Sequence, residues 1–245
     1  MTGFILKIIA TVAMVLAYLA CANQNLVIPL FYIGKIALPL FAFLIVEGYV
    51  HTRSFKKYLT RILVFAIIAQ YPFYKFLTAY NPDVDFFVFD TLFTFAVGLI
   101  ALKILDTIKG KFKKKIPGII FGIIPGIVLA IAAEFLNFDN GLLTISLLLI
   151  FYLLRKYKSV LVWVYSIFIA GYVSRSLLVN GGSIKLDVNS IRHVLFQLLA
   201  YELALGLITL YNNKRGKDGK YVRLTFYFFY PIQFIFMMLY MAILK

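Results

Sequence analysis

The chain has 245 residues, 63% of them hydrophobic and only 14% charged, with 25 Lys and Arg against 10 Asp and Glu for a net charge of +15. Soluble domains run at about 45–50% apolar and about 25% charged, so a water-soluble fold is excluded and the class is an all-α integral membrane protein. The basic excess does not point to nucleic acid, because Lys and Arg collect in the cytoplasmic loops of membrane proteins.

A helix needs about 20 residues to cross about 30 Å of hydrocarbon. Nine stretches are predicted as spans of one polytopic helix bundle: 3–22, 26–50, 58–76, 86–105, 116–137, 141–154, 160–179, 193–211 and 224–244. They run the length of the chain, which predicts a single transmembrane domain over 1–245. The first stretch lacks a basic leader and a cleavage site, so it reads as a spanning helix and not a removed signal peptide. The second has an alternative reading, an interfacial piece over 26–34 followed by a helix starting near Lys35. The sixth is short unless its start is extended or Arg155 and Lys156 snorkel. Pro117 and Pro125, flanking Gly118, Gly122 and Gly126, mark a kink or packing surface at the start of the fifth. Cys21 is the only cysteine, so no internal disulfide forms and redox chemistry has no support.

The loops give the orientation. Arg53, Lys56 and Lys57 follow span two; Lys109, Lys111, Lys113, Lys114 and Lys115 follow span four. Arg155, Lys156 and Lys158 follow span six; Lys214, Arg215, Lys217, Lys220 and Arg223 follow span eight. The loops 80–86 and 137–141 carry only acids. Basic loops after every even span place the N-terminus in the cytoplasm and the C-terminus outside. The run KGKFKKK (109–115) is first a topology signal, with anionic headgroups or a nucleotide phosphate as a second reading.

Charged groups at membrane depth cost several kcal/mol unless paired or hydrated, so each is a functional candidate. On the inner side, Glu47 and His51 share a helix face at spacing i, i+4, with Arg53 at the water boundary and Arg61 one turn into span three. A carboxylate there orients an imidazole or holds an arginine, and an arginine grips phosphate; the plainer reading is a salt bridge that fixes the turn. The outer side carries Asp90, Glu134, Arg175 and His193, with Arg192 beside it. Asp90, Thr94 and Gly98 form one small polar stripe, for close packing or a cavity; His193, Gln197 and Tyr201 form another. Asp90 with Arg175 is the preferred buried ion pair, catalytic or structural. Glu202, in mid-helix, faces a cavity or is protonated. Gln70 and Gln233 are expected to make interhelical hydrogen bonds. No phosphate loop, zinc-type Cys/His set or G-x-S-x-G elbow occurs, and the two histidines, His51 and His193, are expected on opposite sides of the membrane, so no metal is assigned.

Several segments carry a resemblance: TGFILKIIA (2–10), IGKIALPLFAFLIVEGYVHTRSFKKYLTRIL (33–63), FAIIAQYPF (65–73), DTLFTFAVGLIAL (90–102), IFYLLRK (150–156), LYNNKRGK (210–217) and FYFFYPI (226–232). In this order they resemble the TraX family of bacterial multi-pass membrane proteins, with 33–63 the most specific part. The resemblance implies an acyltransferase of the bacterial inner membrane, moving acetyl from acetyl-CoA to an amine or hydroxyl. The acceptor would be a peptide, a pilin-like protein, a glycan or a lipid. Glu47, His51 and Arg53 match the family's E-G-Y-x-H-T-R segment. On this reading His51, His193 and Asp90 are the catalytic candidates, and Glu47, Arg53 and Arg61 bind the donor. The chain also departs from the family. An Asp-His pair late in the first span is here Ala17 and Tyr18, a histidine after the last proline is absent at Ile232 and Gln233, and Asp90 replaces an asparagine. These departures carry the alternative, a catalytically silent binding, assembly or immunity partner on the same scaffold. A secondary transporter ranks third, because no internal repeat is seen.

Overall fold

The computed structural model describes residues 1–22, 27–81, 88–178, 187–217 and 219–244. Most of the acidic loop expected at 80–86 lies outside the described residues. Among the described residues ten α-helices follow in chain order: α1 Gly3–Ala22, α2 Val27–Gly34, α3 Ala37–His51, α4 Phe55–Tyr80, α5 Thr91–Lys111, α6 Lys115–Phe135, α7 Gly141–Leu154, α8 Lys158–Ser174, α9 Val188–Thr209 and α10 Lys220–Leu244. Among the described residues no strand forms, only an isolated parallel bridge between Phe89 and Phe138. Among the described residues eight helical stretches are long and apolar enough to cross a membrane, and the sixth expected span, α7, is shorter at 14 residues. Bulky apolar side chains such as Ile67, Ile116, Phe135, Trp163 and Ile167 lie exposed, an outcome that water penalises and lipid does not.

The second expected span is two helices, the break falling where its alternative reading put it, between α2 and α3. After α2 the chain turns through tight bonds, Lys35 N–H to Tyr32 O at 3.1 Å and Ile36 N–H to Ile33 O at 3.2 Å. Pro39 explains the break: its ring would clash with the carbonyl of Lys35 were the helix continuous. Gly34 fixes where α2 lies, since a Cβ there would stand 2.4 Å from Ala17 Cβ and 2.7 Å from Ala17 Cα on α1.

The chain divides into two compact units, Met1–Phe41 with Leu154–Gly216 and Ala42–Leu153 with Lys217–Lys245. In the first, the start of α1 is stitched to the segment after α9: Gly3 N–H meets Lys214 O at 2.8 Å and Phe4 N–H meets Arg215 O at 2.9 Å. Lys158 Nζ donates to Thr209 O at 3.5 Å, so the start of α8 sits at that same basic end. In the second unit, α10 packs on α4 through aromatic rings, Phe65 on Tyr227 at 5.1 Å and Phe73 on Phe234 at 5.4 Å. The C-terminal ends of α3, α5 and α7 meet at Asp106, which accepts from Tyr49 OH at 2.7 Å and from Tyr152 OH. The start of α5 meets the α6–α7 turn at the other end, Phe89 N–H to Asn137 O at 3.0 Å and Asp139 N–H to Phe89 O at 2.9 Å. At 1.5 Å per residue, Asp90 and Asp106 are about 24 Å apart along α5. Basic turns at 52–57 and 109–115 thus share one end of this unit, and the acidic turn 137–141 lies at the other.

Candidate functional site

At the basic end of the second unit, α3 closes on the segment Glu47-Gly48-Tyr49-Val50-His51. Each of its polar members has a distinct position. Glu47 is buried, 9% exposed. His51 is exposed, and its Nδ1 lies 2.8 Å from the Glu47 backbone carbonyl and 3.7 Å from Glu47 Oε2. A carbonyl only accepts, so Nδ1 carries the ring proton and donates. The lone pair of the neutral imidazole is then on Nε2, which is left to other partners. Gly48 has a packing reason: a Cβ there would meet the Tyr58 hydroxyl at 2.5 Å. Tyr58 lies across α3, donating to Ile45 O at 3.3 Å, and carries the Arg61 guanidinium over its ring at 5.8 Å. Arg61 Nε is buried and, among the described residues, has no hydrogen-bond partner. Arg53 is exposed in the turn, which Ser54 holds by capping α4 at Lys57 N–H, 3.4 Å. The turn is therefore fixed by a cap and not by an ion pair alone.

The opposite end of that unit is a polar knot. Asp90 was expected inside a helix and instead caps one: Oδ1 accepts from Phe93 N–H at 3.1 Å, and α5 starts at Thr91. An N-cap carboxylate satisfies an amide that has no partner in the helix. Gln70 on α4 fixes the approach, giving Nε2–H to Val88 O at 2.8 Å and accepting Asp90 N–H on Oε1 at 3.1 Å. Asp90 is fully buried, and its Oδ2 has no partner among the described residues. Desolvation pushes its carboxyl up to about 7, the Asp139 charge adds to the rise, and the amides of Phe93 and Leu92 oppose it. Thr94 donates to Asp139 O at 2.9 Å, and a Cβ at Gly98 would meet Leu148 Cδ1 at 2.1 Å, so the stripe Asp90-Thr94-Gly98 serves close packing. Glu134 Oε2 accepts Leu142 N–H at 3.1 Å at the start of α7.

In the first unit, His193 sits near the start of α9 with both ring nitrogens engaged. Gln197 Nε2 is against its Nε2, and Tyr32 OH is 2.7 Å from its Nδ1. An amide nitrogen only donates, so Nε2 accepts and Nδ1–H points to the tyrosine oxygen. The ring is stacked on Phe31 at 6.3 Å. Its single lone pair is spent inside the protein. Arg175 is exposed, with its guanidinium 4.7 Å from the Tyr172 ring centroid. Arg192 is exposed and donates to Asn189 Oδ1 at 3.0 Å. Glu202 finds a specific donor, Ser166 Oγ at 2.9 Å. Tyr201 gives its carbonyl to Tyr165 OH at 2.9 Å.

The structure thus brings Glu47 and His51 together, and ties Arg61 to the same helix face region through Tyr58. His193 has its own shell of Tyr32 and Gln197. Sequence reasoning missed Asp106, although a carboxylate near the end of an apolar run is the signal that singled out Glu47. It also missed Tyr32, for which local sequence carries no signal, because its partner is 161 residues away. Among the described residues, no three His, Cys, Asp or Glu side chains group as metal ligands.

Comparison with known proteins now bears on this arrangement. The probable fimbrial assembly protein FimC, serogroup H1, of Dichelobacter nodosus is 39% identical over 114 residues, which cover 42% of this chain and 46% of that protein. The match thus spans less than half the length of this relative. No solved structure matches the chain. The profile described as TraX protein matches residues 2–241, nearly the whole length. The chain belongs to the TraX family, a group of bacterial multi-pass membrane proteins.

Proposed function

We propose that the protein is an acyltransferase of the bacterial inner membrane, which moves acetyl from acetyl-CoA to an amine or hydroxyl, with His51 as general base. The observation that carries this reading is the state of the imidazole. Nδ1–H is held by the Glu47 carbonyl at 2.8 Å, the Glu47 carboxylate stands behind it, and the ring is exposed with its Nε2 lone pair available. That is what proton removal from an attacking amine or hydroxyl requires. The acceptor's lone pair then forms the new bond to the acetyl carbonyl carbon, the thioester C–S bond breaks, and CoA leaves as the thiolate. Arg61, with a buried Nε seeking an acceptor, and Arg53 at the boundary would hold the donor's phosphates, each by charge-assisted hydrogen bonds. Asp90 and His193, buried or internally satisfied, would act on structure before chemistry. The N-terminus and the basic turns are assigned to the cytoplasm by charge.

A second reading, an assembly partner without catalysis, is favoured by Ala17. Where the family pattern has an acid, the chain has a seam so tight that no side-chain atom fits at Gly34 opposite. The name of the Dichelobacter relative also fits that reading, and a pilin-like partner is its natural form. Purified protein separates the two. Acyl transfer predicts consumption of acetyl-CoA, slow without acceptor, with a loss of about 10²–10⁴-fold in His51→Ala and a far smaller loss in kcat for His193→Ala. Turnover that survives His51→Ala overturns the base assignment. Indifference of the wild-type chain to acetyl-CoA selects the assembly reading.

A further inference from the structure

We propose that one face of α5, Lys103–Asp106–Lys109 with the rings of Phe55 and Tyr152, is a binding site for a phosphate ester. The three charged residues recur at i, i+3 and i+6 and so share a face of the helix. An acid between two lysines ordinarily pairs with them. Here it does not. Both Asp106 oxygens accept tyrosine hydroxyls, Tyr49 at 2.7 Å and Tyr152. The two ammonium groups instead lie toward ring faces, Lys103 Nζ at 5.9 Å from the Phe55 centroid and Lys109 Nζ at 6.0 Å from that of Tyr152. Among the described residues neither lysine has an ion pair.

A topology signal accounts for lysines in a turn. It does not account for Lys103, which precedes the end of α5 by eight residues, about 12 Å along the axis. Its ammonium reaches the level of Phe55, the first residue of α4. Tyr49 stands edge-to-face on both neighbours, 5.6 Å from Tyr152 and 5.9 Å from Phe55, so the floor beneath the two cations is rigid. Beyond it the exposed run Lys111, Lys113, Lys114 and Lys115 contains no acid, and its field draws anions toward the face. An amine ligand fits less well, because the carboxylate and the ring faces that would bind it are already taken by the protein. Lysine binds phosphate as a point charge, and two of them on one rigid face set a definite position. The phosphate could belong to an anionic lipid headgroup or to a soluble ester.

The site stands apart from acyl transfer, and its test involves no turnover. The full-length chain is placed in phosphatidylcholine nanodiscs with or without phosphatidylglycerol. Retained lipid is counted by native mass spectrometry, and adenosine diphosphate and pyrophosphate are titrated by calorimetry in phosphatidylcholine alone. Lys103→Gln/Lys109→Gln is expected to weaken binding of whichever class is bound by about tenfold or more, as loss of two charge-assisted contacts requires. Lys113→Gln/Lys114→Gln, with the same loss of charge, is expected to change it by less than about threefold, since it alters only the field. Lys103→Arg/Lys109→Arg is expected to retain binding. Selective retention of phosphatidylglycerol identifies a headgroup site; binding of a soluble ester without anionic lipid identifies a free ester. Equal effects of the two glutamine pairs, or no binding of either class by the wild-type chain, overturn the proposal.

Discussion

Asp106 ties three helix ends together, and the strength of that tie can be worked from its geometry. Its carboxylate receives one phenol from α3 and one from α7, Tyr49 OH at 2.7 Å and Tyr152 OH. Hydrogen bonds to a charged group contribute about 1.5–3 kcal/mol each. Asp106 is half-buried, so the lower part of that range applies. Tyr49→Phe and Tyr152→Phe should each destabilise the protein by about 1–2 kcal/mol, with Tyr49→Phe the larger because Tyr49 is buried. The shared charge makes the two losses non-additive. With one phenol gone, the carboxylate leans harder on the other, and the double variant should lose more than the sum by about 0.5 kcal/mol or more. Asp106→Ala leaves two hydroxyls without their acceptor and should cost about 3 kcal/mol. The assay is thermal unfolding in a mild detergent, where about 1 kcal/mol corresponds to roughly 2–4 °C in Tm for a chain of this size. Tyrosine variants within about 0.3 kcal/mol of wild type, singly and together, would refute the view that this carboxylate organises the basic end.

Gly34→Ala should lower stability by about 1–3 kcal/mol, because the added carbon would meet Ala17 backbone at 2.7 Å, which cannot step aside; unchanged Tm would show that α2 does not lie on α1 as described. Asp90 gives a pH dependence. Its carboxyl is raised to about 7 by burial, against a usual value of 3.8, so between those values the folded state holds a proton that the unfolded state has released. Stability should fall as pH rises through that window, by up to about 1.4 kcal/mol per unit. Asp90→Asn keeps the cap and should remove the slope, which melting curves at pH 5, 6, 7 and 8 would detect as convergence of the two proteins at low pH. Reporter tags after Lys113 and after Asn140 should fall on opposite sides of the membrane, since the two turns lie at opposite ends of one unit; the same side for both would undo that arrangement.

The sequence by itself determined the class, the helices and the order of charged loops. Its means was solvent: apolar runs of about 20 residues have one low-energy state in lipid, a helix. The helix bounds it predicted are close to those observed, and where they miss, a local rule was decisive. Pro39 accounts for the break that the alternative reading of the second stretch allowed, and α5, capped by Asp90, starts five residues later than hydropathy indicates. The i, i+4 pairing of Glu47 and His51 was also legible, because both lie on one helix. What only the tertiary structure decided are the partners that lie far apart in the chain. Gln197 takes the lone pair of His193 and Tyr32 its N–H, Ser166 answers Glu202, and two tyrosines claim Asp106. Hydropathy assigns a depth to each such residue, but the side chain that meets it depends on which helices are neighbours and how each is rotated about its axis. That choice is made by packing, at contacts as close as Gly34 on Ala17 and Gly48 beneath Tyr58, and no periodicity in a single helix records it.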